Sequence, residues 1–133
     1  MYRCPCCQQP AHQTKVDVTS LEDAIKADRL TEHDVFKRTY IGHGTQSSVF
    51  VFQGHKGPFR KHVHVTHDEI GYVLSGAGSV TVGNLTRDVK EGDIWVIPAN
   101  TPHAADFESE PVQVLFISSP MDDPDNPDRV WLD

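Results

Sequence analysis

The chain has 133 residues, a length for one domain with a modest core. A hydrophobic share of 38% and a charged share of 23% are those of an ordinary globular chain, and the net charge of −7 argues against the basic footprint of a nucleic-acid binder. No apolar run approaches bilayer-spanning length, and Met1 to Cys7 lacks the apolar centre of a signal peptide, so no membrane partner and a cytoplasmic location are expected.

All three cysteines, Cys4, Cys6 and Cys7, lie at the start, too few and too close for a disulfide framework. Cys4 and Cys7 form a Cys-x-x-Cys pair and His12 adds a donor, but no second pair completes four ligands. Residues 1–34 therefore read as an arm followed by one short helix. That helix is expected from Thr19-Ser20-Leu21-Glu22, read as a capping box with Thr19 as N-cap, and from the spacing of Leu21, Ala24 and Ile25. Its expected job is to cover a sheet edge or a barrel end.

Residues 35–120 read as short strands separated by glycine and proline turns. Strands are expected over Val35–Tyr40, Ser48–Phe52, Phe59–His64, Glu69–Leu74, Ser79–Val82, Leu85–Val89, Ile94–Ile97, His103–Phe107 and Val112–Ile117. Gly83-Asn84 predicts a tight hairpin turn. The class is all-β, a sandwich or barrel. Residues 121–133 form an acidic, proline-rich tail with little regular structure, in which Val130, Trp131 and Leu132 either anchor on the barrel or a second subunit, or fray.

His62 and His64 are two apart on an expected strand, so both imidazoles share a face. Glu69 opens the next strand and faces back across the hairpin, and His103 waits downstream as a further donor. Imidazoles and a carboxylate converging from adjacent strands suit a divalent transition metal. Arg60 has the same strand parity as His62, so it reads either as a cavity arginine clamping a substrate carboxylate or as an edge arginine reaching water. His67 reads as a solvated loop residue, with alternative-ligand and proton-shuttle roles open. Tyr72 is expected to point away from the Glu69 face and to pack, and Trp95 and Phe107 to be core.

Residues 45–118 resemble the cupin family. Its first motif is matched by His62-x-His64, Glu69 after four residues, and Gly76 after six more; its second by Gly92, five residues, Pro98-Ala99-Asn100, two residues and His103. Three positions depart from the pattern: Gly57 lies one residue too near His62, Asn100 replaces a glycine but tolerates a left-handed backbone, and Phe107 replaces a terminal asparagine. The resemblance implies a double-stranded β-helix, or jelly-roll barrel, and a homodimer joined through barrel edges. It places one divalent metal per chain (Fe, Mn, Ni or Zn) on His62, His64, Glu69 and His103. In an octahedral site two positions then stay open. The implied activity is metal-dependent chemistry on a small, oxygenated, anionic molecule, with an iron(II) dioxygenase the leading class. A sugar isomerase, lyase or decarboxylase is the alternative, as is a non-catalytic module that binds a small molecule through its metal.

Overall fold

A computed structural model of the chain describes residues 18–123 and 125–132; the expectations for Cys4, Cys6, Cys7 and His12 lie outside them. The helix α1 spans Leu21–Ala27. Its N-cap is Ser20, one residue later than Thr19, because the Ser20 hydroxyl accepts from the Asp23 amide at 3.0 Å. The chain after α1 is sewn onto the sheet beneath. Asp28 takes Lys37 Nζ at 2.5 Å and the Thr39 hydroxyl at 2.9 Å, while the Gln53 amide donates to the Asp28 carbonyl at 2.9 Å. The segment thus covers the edge strand and its neighbour, as expected of it.

Ten strands follow: β1 (Phe36–His43), β2 (Ser48–Gly54), β3 (Gly57–Val63), β4 (Asp68–Ser75), β5 (Ala77–Val82), β6 (Leu85–Lys90), β7 (Ile94–Ile97), β8 (His103–Phe107), β9 (Val112–Ser119) and β10 (Val130–Trp131). They form two five-stranded antiparallel sheets, ordered β1-β2-β9-β4-β7 and β10-β3-β8-β5-β6. The chain crosses between the sheets at every connection except the β1–β2 and β5–β6 hairpins, which makes the double-stranded β-helix. The two-residue turn between β5 and β6 has Gly83 at φ 58°, the left-handed position that glycine fills without a Cβ penalty.

The core lies between the sheets at one end of the barrel. Phe50, Phe52, Phe107, Val112 and Val114 are buried there, with Phe36, Phe59, Trp95 and Phe116 packed against them. These rings meet edge-on or tilted, with Phe52–Phe59 centroids 5.2 Å apart and Phe52–Phe107 centroids 5.9 Å apart. The same interior also buries His62, His64, Glu69 and His103 beside these rings.

The C-terminal segment does not fray. Val130 and Trp131 pair with Val63 and His62, so β10 extends the second sheet at its β3 edge. No helix among the described residues is long and apolar enough to cross a membrane.

Candidate metal centre

Three of the four expected donors come from one sheet and the fourth from the other. His62 on β3 is paired with His103 on β8, and His64 follows β3 directly. Glu69 stands near the start of β4, on the inward face that Gly71 and Val73 share. All four side chains are buried. One ligand atom each from His62, His64 and His103 lies within 4.8 Å of the others, and His64, His67 and Glu69 form a second such group.

The hydrogen bonds fix which nitrogens face inward. His62 Nδ1 donates to the Arg60 carbonyl at 2.8 Å, His64 Nδ1 to the Asp128 carbonyl at 2.8 Å, and His103 Nδ1 to the Thr101 carbonyl at 2.9 Å. A backbone carbonyl only accepts, so each Nδ1 carries the hydrogen; on the neutral rings of His62 and His103 Nε2 then keeps its lone pair, while His64 Nε2 stands 3.3 Å from Glu69 Oε1. Histidines that ligate metals are oriented in this way. His103 Nε2 is buried and has no partner among the described residues, which is costly for a polar atom unless something else fills the place. The donor set and this orphaned nitrogen fit a divalent ion.

Protonation agrees. Burial, reinforced by His103, brings His62 down to about 3, and burial also lowers His103. Burial pushes the Glu69 carboxyl up, but hydrogen bonds from His64 and His67 outweigh it and hold the group well below the usual carboxylate range. At neutral pH, His62 and His103 are neutral and Glu69 is ionised, the forms that bind a cation.

Asn100 also behaves as its side chain allows: it sits at φ 64°, the left-handed backbone for which the family pattern uses glycine. Its amide donates to the His64 carbonyl at 2.5 Å, holding the β7–β8 loop beside the ligands.

Expectations for three residues are corrected. Arg60 does not face the cavity. The β3–β8 register shifts between Phe59 and His62, and this bulge turns Phe59 and His62 to the same side and Arg60 outward. The exposed Arg60 instead donates to the Leu132 carbonyl at 3.2 Å and lies 5.5 Å from the Trp131 ring. His67 is not solvated: it is 1% exposed, with Nε2 3.4 Å from Glu69 and Nδ1 3.2 Å from Asp128. Burial opposes its protonation, but Glu69, Asp122 and Asp128 together raise its pKa. Tyr72 points away from the Glu69 face as expected but is exposed rather than packed. Trp95 and Phe107 line the interior.

The cavity holding the cluster has about 70 Å³ of free space, several times what one water needs. Its walls are Phe36, Phe50, Phe52, Phe59 and Phe116, and two cations that sequence reasoning missed, Arg38 and Arg129, reach it. Arg129 arrives on the C-terminal segment. The signal that could have found it is the apolar triplet Val130-Trp131-Leu132 beside it, a strand cue set among prolines and aspartates.

Two antiparallel sheets enclosing a buried histidine–glutamate cluster define a β-helix protein with a candidate mononuclear metal centre. The chain belongs to the cupin domain family, whose model matches residues 48–118. It is 40% identical over 60 residues to an uncharacterized protein of Methanocaldococcus jannaschii, a match covering 44% of this chain and 48% of that one. A Streptomyces coelicolor protein is 38% identical over 53 residues, covering 40% and 50%. The chain thus spans about half the length of the curated relatives it matches. Among solved structures, KdgF from Halomonas sp. superposes with a TM-score of 0.66 at 26% identity, covering 73% of this chain and 89% of that one. A double-stranded β-helix protein from Klebsiella pneumoniae gives a TM-score of 0.70 at 21% identity, covering 90% and 99%.

Proposed function

We propose that the protein holds one divalent transition metal on His62, His64, Glu69 and His103, and uses it as an enzyme on a small, oxygenated, anionic molecule. The observation that carries this reading is the shared orientation of the three histidines, each with Nδ1 bonded to a backbone carbonyl. When bound, a divalent ion supplies Lewis acidity, and a ferrous ion adds the redox chemistry of dioxygen. The leading class is an iron(II) dioxygenase; an isomerase, lyase or decarboxylase is the alternative.

The chain's own residues do the rest. His67 fixes Glu69 in one orientation, and Asp128 fixes His67 in turn. The phenylalanine walls set apolar surface around the ligands, which strengthens the charge interactions inside. The small free volume limits the molecule that enters.

Metal analysis after reconstitution at neutral pH tests the centre: about one divalent ion per chain is expected, with bonds to N and O of roughly 2.0–2.2 Å by X-ray absorption. Less than a tenth of an equivalent would end the proposal. Incubating the iron-loaded protein with a panel of hydroxy, keto and sugar acids under an oxygen electrode then divides the classes. Oxygen uptake with turnover supports the dioxygenase, turnover without uptake the alternative, and saturable binding with no turnover makes the protein a binding module.

A further inference from the structure

We infer that Arg129 is the anchor for a carboxylate on the small molecule this site accepts. The inference rests on the proposed metal reading only for where the rest of that molecule lies. The Arg129 guanidinium stands in the wall of the cavity that His62, His64, Glu69 and His103 also line. It lies over two rings, 5.3 Å from the Phe36 centroid and 4.6 Å from the Trp131 centroid. Its Nε is buried and has no hydrogen-bond partner among the described residues, and Asp122 and Glu69 attract the guanidinium without bonding to that nitrogen. A buried donor without an acceptor is destabilising, and an acceptor that enters the cavity removes that cost.

The cavity's own acidic groups are already taken up. Arg38 donates to Asp122 at 2.5 Å, and Asp122 also accepts from the Tyr40 hydroxyl at 3.1 Å and from the Asp128 amide at 3.3 Å. Glu69 is held by His64 at 3.3 Å and by His67 at 3.4 Å. The missing acceptor therefore comes from the ligand. A guanidinium presents parallel donors in one plane, and a carboxylate matches them with two oxygens. The apolar wall around it strengthens the attraction between this guanidinium and an entering carboxylate. The free space of about 70 Å³ favours a carboxylate of a few carbons.

The guanidinium is held in place beforehand. On one side of it Asp128 accepts from the amides of Val65 and Thr66 at 3.0 and 2.5 Å, and on the other the Leu132 amide donates to the Lys61 carbonyl at 2.9 Å. A clamped segment lets Arg129 bind without ordering itself first.

Acetate titrated into the metal-free and the zinc-reconstituted protein, followed by tryptophan fluorescence, tests this, since Trp131 is beside Arg129 and Trp95 lines the cavity. Wild type is expected to give a saturable signal in both forms. Arg129→Gln should weaken acetate by roughly 10- to 100-fold, and Arg129→Lys by less, with zinc stoichiometry unchanged in both. Acetamide, the neutral counterpart, should not distinguish the three proteins. The inference is overturned if wild type gives no saturable response to acetate, or if Arg129→Gln binds acetate within about twofold of wild type. Should Arg129→Gln fail to fold by circular dichroism, Arg129→Lys decides: wild-type affinity in that variant overturns the forked bond. If no protein holds zinc but acetate still depends on Arg129, the metal reading falls and the carboxylate site stands.

Discussion

The buried imidazoles set how this protein responds to acid. His62 and His103 have folded-state pKa values below the ordinary 6.5, so the unfolded chain takes up more protons as pH falls below that value. Their contribution to stability is complete above 6.5 and is lost progressively toward about 3, the value His62 reaches. Glu69 acts in the same direction at lower pH, since its pKa is depressed from 4.5. His67 opposes them: its raised pKa adds stability below 6.5 that is lost as pH rises through the folded value. Outside the cluster His55 is raised as well, but the lowered carboxyls of Asp28, Asp34, Glu110 and Asp128 act with Glu69, so the groups that lose stability in acid outnumber the two raised histidines. The thermal midpoint of metal-free protein should therefore fall steadily from about pH 7 to about pH 4, and His62→Gln should flatten that slope. A midpoint that holds or rises with acid, followed by circular dichroism, would refute this account. At this scale the shared face of His62 and His64 was legible from strand alternation, while the full set with Glu69 and His103 came from the resemblance to the cupin motifs; the structure buries all four, in two overlapping groups that share His64. His67 was not legible, because its burial depends on Asp128, which lies 61 positions along the chain.

Strand boundaries were legible to within two or three residues because the alternation of apolar and polar positions is strong through the barrel. Alternation could not reveal the irregularity in β3, and one bulge there reverses the face of Arg60 while leaving His62 inward. The close approach of β5 to β8 was equally hidden. A Cβ added at Gly78 would lie 2.5 Å from the Asp106 carbonyl oxygen and 2.9 Å from the Phe107 Cα. Both are backbone atoms, so no side-chain rotation relieves the clash, and β8 would have to move with His103 on it. Gly78→Ala should cost about 1–3 kcal/mol in denaturant unfolding. Gly44→Ala is the control, because nothing lies within 4 Å of a Cβ there, and it should change stability by less than about 1 kcal/mol in either direction. Equal stability of the two variants would mean that β5 and β8 are not packed this closely.

On the scale of the whole molecule, the described residues from Asp122 to Leu132 belong to the barrel rather than trailing from it. Their composition hid this, since aspartates and prolines read as unstructured, and the contacts that order them are made with residues far back in the sequence. Asp122, 1% exposed at its side chain, pairs with Arg38 and starts the segment across the cavity. The Asp128 carbonyl then receives His64 Nδ1, and Trp131 packs 5.2 Å from the His62 ring. The segment therefore has two separable jobs. Arg129 faces the cavity, whereas Asp128 and Trp131 orient His64 and His62. Loss of Arg129 alone should leave metal affinity intact. Truncation after Pro120 should instead weaken zinc by roughly 10- to 100-fold, the usual effect of removing partners that orient metal ligands. It should also lower the thermal midpoint, because Arg38 is left as a buried charge without its partner. Asp122→Ala keeps every other residue and should reproduce the stability loss, about 3–5 kcal/mol, with a smaller effect on zinc. Competition with a chromophoric chelator measures the affinities on all three proteins. Wild-type zinc affinity in the truncated chain would show that His64 finds its orientation without Asp128, and that the segment serves the ligand alone.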